Sequence, residues 1–244
     1  MKYKISINQD ILKIVALVAM TIDHIALIFP TIPFDWMGRY IGRISFPIFA
    51  FLLMKHLNQY QIYKKYVVRL GFFGILSYFI LKPFQIHLGF PLALPLNILL
   101  SFLFAVLTLK VFSFCAQKKM NLLLKIIFSA ISFLIFSFLA FGAQYGVIGF
   151  CYLLLLYFYF QKPNKYKTFL ILFCSFFLNV ESYQGVISFI MTYILLKVDF
   201  NKAYPRLIKH WCIFYLYYPL HLLLLASIAY FLKYWKNINM TYFP

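Results

Sequence analysis

The sequence predicts an all-α fold, a polytopic membrane helix bundle of about nine transmembrane segments forming one domain over residues 1–244. Three observations predict it. Hydrophobic residues make up 64% of the chain and charged residues 11%, against about 25% charged in a soluble globule. Apolar runs near the ~20 residues that cross a ~30 Å hydrocarbon core recur along the whole length. Cations gather in every second loop, which is the positive-inside pattern. The net charge of +18 therefore reads as membrane topology. No basic stripe with stacking aromatics stands apart from the apolar runs, so the expected surroundings are a lipid bilayer and not nucleic acid.

The predicted segments are 11–29, 37–54, 66–82, 93–114, 121–141, 145–160, 168–180, 184–198 and 212–233. The first, ILKIVALVAMTIDHIALIF, follows Lys2 and Lys4 and has the outline of a signal peptide. Its length, its interruption by Asp23 and His24, and the lack of a small-x-small site after it predict that it is retained. The second, WMGRYIGRISFPIFAFLL, carries Arg39, Arg43 and Pro47. A proline inside a helix leaves a backbone carbonyl without its partner, which predicts a wet pocket there. The fourth opens with Pro95 and Asn97, and the sixth with Gln144, Tyr145 and Gly146. The seventh and eighth are short and are expected to be tilted, half-buried or re-entrant. In the ninth, YYPLH places Pro219 as a disturbance and His221 near mid-membrane.

Loop charge orients the segments. Lys55, Lys64, Lys65 and Arg69 flank one connection; Lys118, Lys119 and Lys125 the next but one; then Lys162, Lys165 and Lys167; then Lys197, Lys202, Arg206 and Lys209. The alternate connections carry far fewer cations, and that between the seventh and eighth has only Glu181. The N-terminus is thus expected in the cytoplasm and the C-terminus outside. Cys115, Cys151, Cys174 and Cys212 form no Cys-x-x-Cys pair. They read as small buried apolar side chains, and no metal is expected.

Ionisable groups within a span are expensive and by default face a protein interior or a wet cavity, where they mark function. Lys13 and His24 are eleven positions apart, which is three helical turns plus about 20°, so they share a face about 16 Å apart along the axis. A cation near one end and a titratable base deep along the same face suit a long ligand with an anionic head and a reactive tip. Arg43 lies at a depth close to that of Asp23, its expected ion-pair partner. Arg39 and Arg43 share a face and repel unless an anion lies between them. Several readings stay open. Lys13 is a snorkelling cation or a ligand contact. Asn97 and Tyr145 are helix caps, interfacial anchors or substrate contacts. His221 is a packed core histidine or a chemical one. Asp23 with Arg43 is a structural pair or part of a site. His56, His87 and His210 read as loop or interface residues.

The segments LKIVALVAMTIDHIALIF, GRISFPIFAF and YKKYVVRL, followed by Asn97 in LNILLSF, by Tyr145-Gly146-x-x-Gly149 and by YYPLHLLLL with His221, resemble in order the F-pilin acetylase (TraX) family. The WMGRYIGRISFPIFAF stretch is most similar to its conjugative-pilin branch. The Lys13-x10-His24 spacing also resembles the wider superfamily of transmembrane acyltransferases, which usually has Arg where this chain has Lys13. Many relatives read Asp-Tyr-Gly where this chain has Gln144-Tyr145-Gly146, so any acidic relay here falls to Asp23 or another group. The resemblance implies a multi-pass acetyltransferase of the bacterial inner (cytoplasmic) membrane, taking acetyl-CoA as donor and the N-terminal amine of a pilin subunit as acceptor. Within it His24 is the expected general base or transient acyl acceptor, with Asp23 and Arg43 orienting or balancing charge. Asn97, Tyr145 and His221 are expected donors to substrate or oxyanion, and Lys13 and Arg69 contacts for the CoA phosphates. Two alternatives stand beside it: an O-acetyltransferase acting on an envelope glycan or lipid, and a transporter or proton channel using Asp23, His24 and Arg43. No inverted repeat or paired broken segments favour the transporter.

Overall fold

A computed structural model describes residues 7–29, 35–88, 97–179, 184–198, 207 and 212–242. The regular elements among these residues are helices: α1 (Gln9–Ile28), α2 (Asp35–Gly42), α3 (Ser45–Tyr60), α4 (Tyr63–Leu88), α5 (Ile98–Gln117), α6 (Leu122–Phe141), α7 (Gly146–Gln161), α8 (Lys165–Phe177), α9 (Gly185–Lys197) and α10 (Cys212–Tyr242). With α2 and α3 taken as one broken rod, each answers one predicted segment in order. Among the described residues five stretches, Gln9–Ile28, Trp36–Tyr60, Ile98–Gln117, Leu122–Phe141 and Cys212–Leu232, are long and apolar enough to cross a membrane. The chain is a multi-pass, helical membrane protein. At 13 residues each, α8 and α9 reach only about 20 Å. Pro95, Glu181, Lys202, Arg206, Lys209 and His210 lie outside the described residues.

Asparagines start four of the helices. The Asn8 side chain accepts from the Asp10 N–H, Asn97 from Leu99 and Leu100, Asn121 from Leu123, and Asn164 from Lys167. Each satisfies amides that the first turn leaves without an intrahelical partner. The bundle is built around α3 and α7, whose Phe46, Ile48, Met54, Leu57, Phe150, Tyr152, Leu153 and Leu156 are fully buried. At the opposite extreme α6 buries only Ser132 and Ala140. Most of its apolar side chains are exposed, as a lipid-bathed helix requires, while Phe133 and Phe136 turn inward against Phe150 and Phe104.

The second segment differs from expectation at its proline. Residues 43 and 44 form a turn, and α3 begins afresh at Ser45, so Pro47 sits in a first turn where its missing N–H is no loss. The carbonyl that Pro47 leaves without a helical partner is that of Arg43. It accepts a hydrogen bond from Ser188 Oγ at 3.2 Å, so a side chain of α9 fills the role expected of pocket water.

Two glycines set how α2 lies on α1. A Cβ built on Gly38 would stand 2.8 Å from Ala26 Cβ, and one built on Gly42 would stand 2.2 Å from Asp23 Cβ and 2.6 Å from its Oδ1. Both distances are below real carbon contacts, so the small-xxx-small spacing Gly38-x3-Gly42 is what permits the close approach. On the next side, Ser45 Oγ donates to the Ala16 carbonyl at 2.7 Å and ties α3 to α1. These contacts bring residues 39 and 43 against Asp23.

Candidate active site

Neighbouring residues on a helix point ~100° apart, and α1 uses this to serve two partners. Asp23 turns to α2 and His24 to α10. Asp23 Oδ1 accepts from Arg39 Nη1 at 2.8 Å and from Arg43 Nη2 at 3.3 Å. The expected Asp23–Arg43 pair is therefore present, and the carboxylate lies between the two arginines as their shared face demanded. The shorter contact, however, is made by Arg39. The Arg43 guanidinium is the more enclosed of the two, with its side chain 7% exposed against 27% for Arg39. It also donates from Nε to the Arg39 carbonyl and from Nη1 to Asn179 Oδ1 at 3.0 Å, and it is bonded to the Tyr145 side chain. Asn179 Nδ2 donates in turn to Ser188 Oγ. Two guanidinium groups on one carboxylate leave an excess positive charge at this end of the bundle.

On the other side of α1, His24 Nδ1 lies 2.8 Å from His221 Nε2, and His221 Nδ1 lies 2.7 Å from the Tyr217 carbonyl oxygen. Both histidines are buried. The Tyr217 ring stacks on His221 at 5.0 Å, and its hydroxyl bonds Thr21 Oγ1 at 2.6 Å. The helices α1 and α10 are thus pinned side by side through two polar pairs one turn apart.

These side chains fall within one matched region: the TraX protein family matches residues 8–229. The chain belongs to the TraX family. A probable fimbrial assembly protein, FimC of serogroup H1, from Dichelobacter nodosus is 35% identical to it over 69 residues, 27% of this chain and 28% of that protein. An uncharacterized protein of Rickettsia prowazekii (strain Madrid E) is 39% identical over 69 residues, 28% of this chain and 25% of that protein. The chain spans about a quarter of the length of these curated relatives. No solved structure matches it.

The remaining predicted residues of this TraX chain divide between the two ends of the bundle. Tyr145 adjoins Arg43. It precedes α7 with φ 67°, and its ring stacks on Phe46 at 4.2 Å. A Cβ on Gly149 would stand 2.6 Å from Tyr145 Cβ, so the Tyr-Gly-x-x-Gly pattern lets the tyrosine fold over the first turn of its own helix. Asn97 is engaged as a cap: Oδ1 takes the two amides of α5 named above, and Nδ2 donates to the Gly74 carbonyl at 2.7 Å. Of its open readings, the structure supplies the cap.

Lys13 is a paired cation. Its Nζ is 2.7 Å from Asp10 Oδ1 and 4.9 Å from the centre of the Phe214 ring. The second oxygen of Asp10 accepts from the Leu207 N–H. Lys13 and His24 do share a face, and α10 covers both. Arg69 lies at the same end of α10, bonded to Tyr215. It also lines an open cleft of about 770 Å³ together with Lys64, Lys65, Lys110, Ser113 and Gln117. This cleft joins the C-terminal ends of α3 and α5 to the start of α4. Between it and Arg43 runs the whole of α3, 16 residues or about 24 Å.

Sequence reasoning did not find the structural parts played by Thr21, Asn179, Ser188 and Tyr217, nor Asp10 as the partner of Lys13, nor Lys110 in the cleft. A signal existed for Asn179 and Ser188, which are polar residues beside or within apolar runs. Among the described residues no group of three His, Cys, Asp or Glu side chains is placed to hold a metal.

Proposed function

We propose that this TraX-family protein is an acetyltransferase of the bacterial inner membrane, with a cytoplasmic N-terminus, that moves an acetyl group from acetyl-CoA to the N-terminal amine of a pilin subunit. The family resemblance and the D. nodosus relative, a probable fimbrial assembly protein, support this choice of acceptor. The observation that carries the chemistry is the buried His24–His221 pair beside the Arg39–Asp23–Arg43 cluster, with a cationic cleft one helix length away. In the transfer, the acceptor amine attacks the thioester carbonyl. A C–N bond forms, the C–S bond breaks, and the amine proton passes to His24 Nε2 and from there to the departing thiolate. Asp23 holds the two arginines, whose excess positive charge favours the oxyanion in a water-poor site. Tyr145 lies at the same cluster as a donor. Lys64, Lys65, Arg69 and Lys110 offer charge-assisted bonds to the phosphates of CoA. Lys13, already paired with Asp10, contributes less there than its charge alone suggested. Asn97 supports the site as a cap.

The test uses the full protein in detergent with radiolabelled acetyl-CoA and a peptide carrying the pilin N-terminus in lipid micelles. The expected result is labelled peptide with the wild type and none with His24→Gln, since glutamine keeps a hydrogen bond but cannot take the proton. Absence of transfer to peptide with labelling of an envelope glycan or lipid would give the protein to O-acetylation. The hydrogen-bonded His24–His221 pair beside Asp23 and Arg43 within a span also favours a second reading, a proton path. Proton flux in proteoliposomes without any acetyl transfer would establish it in place of the first.

A further inference from the structure

We infer that His221 is a positioning residue that holds His24 in the tautomer with its hydrogen on Nδ1, so that Nε2 is the bare nitrogen. The inference rests on the acetyltransferase reading for its consequence, but not for its geometry. A backbone carbonyl can only accept, so in the 2.7 Å contact with the Tyr217 oxygen the hydrogen belongs to His221 Nδ1. A neutral imidazole carries one N–H. His221 Nε2 is then an acceptor, and the 2.8 Å contact between it and His24 Nδ1 needs its hydrogen from His24. His24 thus spends its only N–H on His221, and Nε2 keeps its lone pair. Histidine in water prefers the opposite tautomer, so this state is imposed by the neighbours.

The imposing group is itself held. The His221 ring lies between Tyr217, stacked at 5.0 Å, and Tyr218, at 5.9 Å edge-on. The bond between Thr21 Oγ1 and the Tyr217 hydroxyl fixes α1 against α10 one turn away. The chain ends on a neutral carbonyl where many catalytic histidines end on a carboxylate. That choice avoids adding a buried anion, which is expensive within a membrane. When Nε2 of His24 takes a proton from the acceptor amine, the Nδ1 hydrogen can pass to His221 Nε2. The positive charge then rests on His221, whose Nδ1–H still points at the Tyr217 carbonyl dipole. The reverse shift returns the proton through His24 to the departing thiolate, so no proton is gained or lost over the cycle.

The decisive measurement is the 15N spectrum of the full protein labelled at its five histidines and reconstituted in lipid, with His24→Gln identifying the His24 signals. Wild type is expected to show His24 protonated at Nδ1 and bare at Nε2. In His221→Phe the His24 hydrogen should move to Nε2. In His221→Gln, where the side-chain oxygen can still accept, it should stay on Nδ1. In the transfer assay His221→Phe should lower kcat on the order of 100-fold, below the ~10⁴-fold seen when a triad histidine is left in the wrong tautomer. KM for acetyl-CoA should be unchanged, and His221→Gln should recover part of the rate. A wild-type His24 protonated at Nε2 overturns the inference even if neither His221 variant folds, and so does a His24 tautomer that does not respond to His221→Phe. The expected tautomers without acetyl transfer to any acceptor would remove the acetyltransferase reading and leave the histidine pair standing.

Discussion

Asp23→Asn is the substitution that most directly probes what holds the site together. It removes the carboxylate and keeps its size, so packing against Gly42 is preserved. The cluster of Arg39, Arg43 and Asp23 changes from one excess positive charge to two. Arg43 has a side chain only 7% exposed and cannot turn to water. Arg39, 27% exposed, can partly do so. Removing one partner of a buried ion pair costs about 3–5 kcal/mol, and the partial escape of Arg39 puts the expectation at the low end, about 3 kcal/mol. At about 2–4 °C per kcal/mol for a chain of this size, the melting temperature in detergent should fall by roughly 6–12 °C. The double variant Asp23→Asn/Arg43→Gln restores a single excess charge and should regain about half of the loss, as coupled neighbours do in a double-mutant cycle. Melting followed by intrinsic fluorescence reads both. If Asp23→Asn melts within a degree or two of wild type, or if the double variant melts below the single, the cluster is not held by its charges and the reasoning fails.

Gly42→Ala should destabilise by about 1–3 kcal/mol, as overpacking does, and by more than Gly38→Ala, because its Cβ meets Asp23 at 2.2 Å where that of Gly38 meets Ala26 at 2.8 Å; equal melting temperatures would refute this packing account. Arg69→Gln and Lys110→Gln should each weaken CoA binding in calorimetry more than Lys13→Gln, whose charge Asp10 already offsets; the reverse order would return the phosphate contact to Lys13. In a cysteine-free background, single cysteines at Asn58 and Lys162 should resist a membrane-impermeant maleimide applied to intact spheroplasts, and one at Gly142 should react, because cations gather near the first two positions. Reaction at Asn58 would invert the proposed orientation.

Much of the architecture was legible in the sequence because its causes are local. Hydropathy over ~20 residues locates a span, and each predicted segment overlaps a helix, although α3 and α4 run six residues past the predicted ends at 54 and 82 and α10 runs nine past 233. Asn97 could be named as a candidate cap because a cap acts on amides two and three positions away. The burial of Asp23 and His24, and the pairing of Asp23 with Arg43, followed from depth alone, since an isolated charge in a span has no tolerable alternative. What only the tertiary structure decided is rotation and partner choice. Helical periodicity says that Lys13 and His24 share a face, but not that α10 covers it or that His221, 197 positions away, meets His24. It places Arg39 and Arg43 on one side of a helix, but the approach allowed by Gly38 and Gly42 makes Arg39 the nearer to Asp23. It finds the carbonyl that Pro47 strands, but not that Ser188 reaches it. Whether a span crosses is set by the summed transfer energy of its own residues. Which polar groups meet inside is set by contacts of a few ångströms between helices, and a shift of one helix by a single residue, about 1.5 Å and 100°, changes them all.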